Sequence, residues 1–135
     1  MIFINLERQE EIRKMLCSCN KSFKQLKSIG DELKAQMELK DLENFFNALA
    51  SKERIIIIKS LKDGDRCVCE LETILDKSQS TISHHLRNLE RAGLIYSFRK
   101  GNYTHYGLKK ERLRESLELV NKEMSILVKE LNCAC

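Results

Sequence analysis

Residues 77–107, KSQSTISHHLRNLERAGLIYSFRKGNYTHYG, decide the fold that this 135-residue chain is expected to adopt. Ser78 is a predicted helix N-cap, because its hydroxyl can accept a hydrogen bond from a free amide of the first turn. Gly93 can take the left-handed conformation that ends a helix. Between them, apolar residues recur at helical spacing: Ile82, Leu86 and Leu89. The stretch therefore predicts a helix with a polar outer face that closes at Gly93.

Two short β-prone runs follow this helix, at residues 94–98 and 103–108. They are joined by Arg99-Lys100-Gly101-Asn102, a basic segment with the composition of a hairpin turn. A polar helix followed by a hairpin with a cationic tip is typical of a winged helix-turn-helix. The sequence therefore predicts a domain that reads DNA.

The helices that should support this unit lie upstream. Ser51 can cap a helix over residues 52–62; the IIII run within it could equally form a strand, but the cap and the stop at Asp63-Gly64 favour a helix. Four consecutive isoleucines predict burial on most sides. The next apolar residues should form the first helix of the helix-turn-helix and end at the turn Asp76-Lys77-Ser78. They are Val68, Leu71, Ile74 and Leu75.

Apolar stripes at helical spacing also run through both ends of the chain. Residues 5–19 are predicted to form a short helix or an arm that orders on binding. An amphipathic face then follows, made of Phe23, Leu26, Ile29, Leu33 and Met37 and continued by Leu42, Phe45, Phe46 and Leu49. A heptad seam near the C terminus comprises Leu113, Leu117, Val120, Met124, Leu127 and Leu131. A helix this apolar must pack against another surface, and we expect that surface to be a second copy of the chain.

We therefore predict a mainly α fold with a small β-hairpin wing, that is, a winged helix-turn-helix that dimerises through its N- and C-terminal helices. Residues 1–40 are assigned to an N-terminal arm and helix for ligand binding and dimerisation. Residues 41–110 are assigned to the DNA-binding domain, and residues 111–135 to a C-terminal dimerisation helix with a cysteine tail.

Composition limits the classes of function. The net charge of +4 is mild, so basic residues must be concentrated locally to hold a polyanion. The opening MIFINLERQEE lacks the basic region of a signal peptide, and no run approaches the roughly 20 apolar residues of a membrane span. We expect no membrane contact and a cytoplasmic location. No acid–base pair, phosphate loop or nucleophile–base arrangement is evident, which argues against an enzyme.

A recognition helix reads base edges in the major groove with residues near its N terminus, and a wing tip meets a phosphate or the minor groove. Glutamine can form two hydrogen bonds with adenine, whereas serine and histidine suit bases or phosphates. The predicted DNA contacts are Gln79, Ser80, Ser83, His84, His85 and Arg87 on the helix and Arg99, Lys100 and Asn102 on the wing. The alternative is a solvated helix face with an ordinary charged turn.

The six cysteines form three Cys-x-Cys pairs: Cys17/Cys19, Cys67/Cys69 and Cys133/Cys135. In an intracellular protein such cysteines are more often ligands or redox thiols than structural disulfides. Residues two apart on a regular helix lie about 200° apart around its axis, so Cys67 and Cys69 can face one ion only at a helix start or a distortion. The alternative for this pair is two small buried apolar residues. For the C-terminal pair it is a tail without a role.

Four blocks of the chain, ALASKERIIIIKSL, RCVCELETIL, SQSTISHHLRNLERAGLI and RKGNYTHYGL, resemble successive blocks of the ArsR/SmtB-type metal-responsive repressors. The resemblance covers about residues 42–110. It implies a cytosolic homodimer that sits on a palindromic operator in double-stranded DNA and leaves it when a thiophilic ion binds. By this resemblance the base and phosphate contacts would be Gln79, Ser80, Ser83, His84 and Arg87.

The segment Cys67-Val68-Cys69-Glu70-Leu71 matches the family pattern Cys-Val-Cys-acid-Leu, which marks sensors of arsenite, antimonite, cadmium or lead. Soft ions of this kind prefer thiolates and are held by about three or four of them. Some family members supply a third cysteine at the position that is Glu72 here, so a further thiol must come from elsewhere. Cys17/Cys19 would do so as in the cadmium- and lead-sensing branch, where the partner subunit's arm completes the site. Cys133/Cys135 are the other source.

The inducer is therefore expected to be arsenite or antimonite, cadmium, lead or zinc, with no organic cofactor. The family's second zinc site uses Asp and His ligands on the terminal helix. That helix has no His in this chain, which argues against the second site. Two alternatives use the same cysteines: a repressor switched by oxidation, in which thiols of different pairs form disulfides, and a thiol carrier or metal-delivery protein with an incidental winged domain. Only the carrier would lack sequence-selective DNA binding.

Overall fold

The computed structural model describes residues 21–130. Within them the helices are α1 (Phe23–Lys34), α2 (Met37–Leu49), α3 (Lys52–Ser60), α4 (Val68–Leu75), α5 (Gln79–Arg91) and α6 (Lys110–Glu130). The strands are β1 (Arg66–Cys67), β2 (Ile95–Lys100) and β3 (Tyr103–Leu108). The predicted mainly α fold with a small β wing is confirmed.

The core lies where α2 to α5 meet the base of the sheet. Its fully buried side chains are Ile57, Leu61, Leu71, Ile82, Leu86, Leu89, Leu94 and Ile95. Each contributes about 1.5–3 kcal/mol by leaving water. The isoleucine run forms a helix, as predicted. The prediction that it is buried on most sides is wrong, because Ile57 is fully buried whereas Ile55 is 45% exposed. Successive residues of a helix turn by about 100°, so one short helix cannot turn four neighbours to the same core.

The helix-turn-helix is formed by α4 and α5. The left-handed Asp76 (φ 51°) ends α4, and the amide of Lys77 donates to the carbonyl of Glu72 at 3.3 Å. Ser78 then caps α5, since its Oγ accepts from the amide of Thr81 at 3.4 Å. Gly93 has φ 75°, the conformation predicted for the end of this helix. The turn and both caps are therefore confirmed.

The wing has three antiparallel strands in the order β1-β3-β2, one more than the predicted hairpin. The hairpin is longer and its turn tighter than predicted, because Arg99 and Lys100 pair with β3 and only Gly101-Asn102 turn. Gly101 has φ 63°, a conformation that costs other residues energy. The additional strand, β1, pairs Arg66 and Cys67 with β3 and leads directly into α4.

The terminal helices differ from the predicted stripes. The amphipathic face expected to continue to Met37 is broken at Ala35 and Gln36, and Met37 is 82% exposed. Within the C-terminal seam, Leu113 and Val120 pack against the core, whereas other seam residues lie exposed, among them Leu117 and Leu127. No helix within residues 21–130 is long and apolar enough to cross a membrane.

Candidate DNA-reading face and thiol site

The outward side of α5 carries most of the predicted base contacts. Opposite its buried apolar side, Ser80, His84 and Arg87 are exposed, and Gln79 is exposed at the first turn. Ser83 is half-buried. The His84 ring Nε2 and the Asn88 side-chain amide are 3.3 Å apart and link successive turns of this side.

Arg91 is a cation that the sequence reasoning missed. It is exposed and continues the spacing of Ser80, His84 and Arg87 one turn further along α5. Residues three and four apart share one side of a helix, so this polar stripe was a signal that could have identified it.

His85 lies apart from the other predicted contacts. Its ring is half-buried on the side of α5 that faces α3, with Nδ1 3.5 Å from Nη1 of Arg54. The same guanidinium donates to the carbonyl oxygens of Ala48 at 2.6 Å and Asn47 at 3.0 Å, at the end of α2. Burial first, and then Arg54, lowers the pKa of His85 below its ordinary value. His85 is thus part of a joint between three helices, on the inner side of the recognition helix.

The two cations of the wing point in opposite directions, because side chains alternate along a strand. Ser97, two residues before Arg99 and on the same side of β2, donates to the Glu90 carboxylate of α5 at 2.9 Å. Arg99 is exposed, and its side chain makes no hydrogen bond or ion pair with the part of the chain that the structure describes. Asn102 is exposed in the turn.

Lys100 instead reaches back toward the segment before β1. Its Nζ lies 3.7 Å from Oδ2 of Asp65, and the same oxygen accepts a hydrogen bond from Nδ1 of His105 at 2.6 Å. The hydrogen bond from His105, and then Lys100, holds the pKa of Asp65 below its ordinary value. Asp65 is therefore a charged group shared by two residues of the wing.

Cys67 and Cys69 lie at the junction of β1 and α4. Cys67 is the N-cap of α4 with an extended backbone (φ −80°, ψ 164°), and Cys69 is in the first turn of the helix. Their Cα atoms are 5.5 Å apart and their sulfur atoms are bonded to each other, so both side chains point the same way. This is the helix-start geometry that the spacing requires. In this disulfide form the sulfurs are not thiolates, and a soft ion would need the reduced pair.

The two thiols differ in their surroundings. Cys67 is buried, at 7% exposure, whereas Cys69 is exposed. The Cys67 amide donates to Glu70 Oε2 at 2.8 Å, and Arg66 lies 3.5 Å from the other oxygen of that carboxylate. Leu71, one turn further along α4, is fully buried in the core that α4 and α5 share. Cys67 is therefore connected through α4 to the core on which the recognition helix packs.

The other four cysteines, Cys17, Cys19, Cys133 and Cys135, lie outside the described residues. Within residues 21–130 no group of three or more His, Cys, Asp or Glu side chains is placed to hold a metal ion. A cavity of about 600 Å³ between α2, α5 and α6 is lined by Arg54, Arg91 and Arg112, among others. Neither Cys67 nor Cys69 contributes to its wall.

The chain is similar in sequence and in fold to known transcriptional regulators. A family model described as "Bacterial regulatory protein, arsR family" matches residues 51–97, which include the helix-turn-helix and the start of the wing. The solved structure of an ArsR-like transcriptional regulator from Rhodococcus sp. RHA1 superposes with a TM-score of 0.62 at 24% identity, covering 70% of this chain and 89% of that one. At this identity the likeness shows the fold.

Several curated relatives are named as resistance regulators. The chain is 32% identical over 95 residues to the cadmium resistance transcriptional regulatory protein CadC of Listeria innocua, covering 69% of this chain and 80% of the relative. It is 38% identical over 84 residues to the arsenical resistance operon repressor of Bacillus subtilis, covering 62% and 79%. With its winged helix-turn-helix architecture, this chain belongs to the ArsR family of transcriptional regulators.

Proposed function

We propose that this protein is a repressor that releases its operator when a thiophilic ion binds thiolates that include Cys67 and Cys69. The ion would be arsenite or antimonite, cadmium, lead or zinc. The observation that carries the proposal is the position of the pair: both sulfurs lie together at the start of α4, the helix that packs on the recognition helix. Relatives that are named for cadmium and arsenical resistance support a soft ion as inducer.

The mechanism follows from the strand-to-helix junction. An ion that draws both thiolates together with further donors fixes the backbone of Cys67, which is both the N-cap of α4 and a strand residue of the wing. The recognition helix and the wing then lose the relative position that fits the duplex. The coupling is reciprocal: bound ion weakens the binding of DNA by the same free energy by which bound DNA weakens the binding of the ion.

Two thiolates do not complete a site for these ions, so further donors are needed. We propose Cys17 and Cys19 as the first source and Cys133 and Cys135 as the second, from the same subunit or a partner. A homodimer on a palindromic operator fits this scheme. The exposed apolar side chains that remain on α1 and α6 would supply the contact between copies: Ile29, Leu33, Leu117, Met124 and Leu127.

The test is DNA affinity on the protein's own promoter fragment, with and without cadmium chloride or sodium arsenite. The reduced protein should lose about 5- to 150-fold in affinity when the ion is added, the range of typical couplings. Replacing Cys67 and Cys69 by serine should abolish the loss while ion-free binding persists, which shows that the variant folds. Matching double replacements of Cys17/Cys19 and Cys133/Cys135 identify the remaining donors. Unchanged affinity of the unmodified protein with every ion would refute the proposal.

A second candidate is a repressor switched by thiol oxidation, which the bond between Cys67 and Cys69 favours. With peroxide as oxidant, two thiols lose two electrons and two protons to form the disulfide, and the peroxide is reduced to two waters. Titrations of the protein–DNA complex with peroxide and with cadmium chloride, each with DNA release as the readout, distinguish the two candidate functions. Release by peroxide that dithiothreitol reverses, with no response to the ions, would select the redox switch.

A further inference from the structure

The carboxylate of Asp65 lies between the thiol site and the wing. It precedes Cys67 by two residues, and its Oδ2 is 2.6 Å from His105 Nδ1 and 3.7 Å from Lys100 Nζ. The His105 side chain is only 16% exposed, whereas that of Lys100 is 65% exposed. The inner contact is thus shielded from water, and the outer contact holds a cation at the tip of the wing.

The main chain connects the same residues. Arg66 and Cys67 form β1, and Cys67 lies opposite His105 on β3. A movement of the Cys67 backbone therefore shifts both the strand that carries His105 and the carboxylate that holds Lys100. Within the described residues, Lys100 has no other anionic partner than Asp65.

We propose that Asp65 is the positioning residue that carries the state of the Cys67/Cys69 site to the wing, by holding Lys100 more tightly when the ion is bound than when it is absent. This inference rests on the proposed function. A lysine held by a carboxylate is a weaker phosphate contact than a free one, because DNA affinity comes largely from cations that replace counterions on phosphates. The wing thereby becomes a second route of DNA release, in addition to the displacement of α4 and α5.

The replacement Asp65→Asn tests the inference, because asparagine keeps an acceptor oxygen for His105 and removes the charge that holds Lys100. In fluorescence anisotropy on the promoter fragment, ion-free affinity should rise. The slope of the logarithm of the binding constant against the logarithm of the salt concentration (the salt slope) should steepen by about one unit, which corresponds to one phosphate contact. The ratio of affinities without and with cadmium chloride should fall at least about threefold from the 5- to 150-fold expected of the unmodified protein.

Asp63→Asn is the matched control. It makes the same change of charge two residues upstream, where the Asp63 carboxylate, among the described residues, pairs only with Lys62 at 3.9 Å and not with the wing. It should leave the release ratio unchanged. The replacement Lys100→Gln should lower ion-free affinity more in the Asp65→Asn background than alone. If Asp65 had a merely structural role, Lys100→Gln would lower ion-free DNA affinity equally in the unmodified protein and in the Asp65→Asn variant.

The outcomes separate this inference from the proposed function. If cadmium releases DNA equally from the Asp65→Asn variant and the unmodified protein, the inference is overturned and the proposed function stands. If neither cadmium nor arsenite releases DNA from the unmodified protein, the proposed function fails and the link from the thiols to the wing fails with it.

Discussion

Arg54 on α3 and His85 on the recognition helix meet at 3.5 Å, although they are 31 residues apart in sequence. Arg54 also donates to the carbonyls of Ala48 and Asn47 at the end of α2, where the carbonyls of a helix run out of intrahelical partners. This one side chain fixes the recognition helix relative to the helices beneath it.

Arg54→Ala should therefore lower the free energy of unfolding by about 1–3 kcal/mol, because it leaves the partly buried carbonyl of Ala48 without its charged donor. DNA affinity should fall as well, since α5 loses a support. Urea denaturation and anisotropy measure the two effects. Lys52→Ala, on an exposed position of the same helix, is the control and should change stability by less than about 0.5 kcal/mol.

Stability should depend on pH through His85. Its pKa in the folded protein is lowered by burial and by Arg54, while the unfolded chain keeps the ordinary value of about 6.5. The unfolded state therefore binds more protons below about pH 6.5, so stability is lost as the pH falls through that region and is fully present above it. Thermal unfolding between pH 5 and 8 measures the effect.

His85→Gln should flatten this dependence, and His84→Gln, one position away on the outward side, should not. An equal pH profile for all three proteins would contradict the assignment.

The two glycines at Gly101 and Gly30 should respond to alanine in opposite directions. Gly101 has φ 63° in the wing turn, so Gly101→Ala should cost about 1 kcal/mol. Gly30 lies inside α1 with no atom within 4 Å of an added Cβ, so Gly30→Ala should stabilise by about 0.5–1 kcal/mol. Urea denaturation of each variant beside the unmodified protein measures the sign of both changes in the free energy of unfolding.

Arg99 should contribute more to DNA affinity than Lys100. Within residues 21–130 the Arg99 side chain has no polar partner on the side of the wing that faces α5, whereas Lys100 pairs with Asp65. Arg99→Gln should weaken binding uniformly across DNA sequences and reduce the salt slope by about one unit, and Lys100→Gln should reduce it by less. Titrations at several salt concentrations measure the slopes, and a larger effect of Lys100→Gln would contradict the prediction.

Self-association should depend on the exposed apolar side of α6. Leu127 is 52% exposed, and Leu127→Glu should dissociate the proposed dimer because a carboxylate would be buried between copies. Sedimentation equilibrium gives the mass of each variant. Lys122→Glu, at an exposed polar position of the same helix, is the control and should sediment like the unmodified protein.

The sequence by itself determined the helix-turn-helix, because its signals are local. Ser78 starts the recognition helix through its side-chain hydrogen bond and Gly93 ends it through its left-handed backbone. The apolar residues between them can reach the core together only on a helix. The spacing of Cys67 and Cys69 allows both to face one ion only at a helix start or a distortion, and the structure places a helix start there. The DNA contacts, the complete ligand set and the domain boundaries remain predictions.

Only the tertiary structure decided which polar residues meet. The strand β1 is too short to give a periodic pattern, so its pairing with β3, which brings Cys67 beside His105, has no sequence signature. Asp65 meets His105 across 40 residues, and His85 turns inward toward Arg54 although its neighbour His84 faces outward. Such contacts depend on how helices and strands pack in space, which residue spacing along one element does not encode.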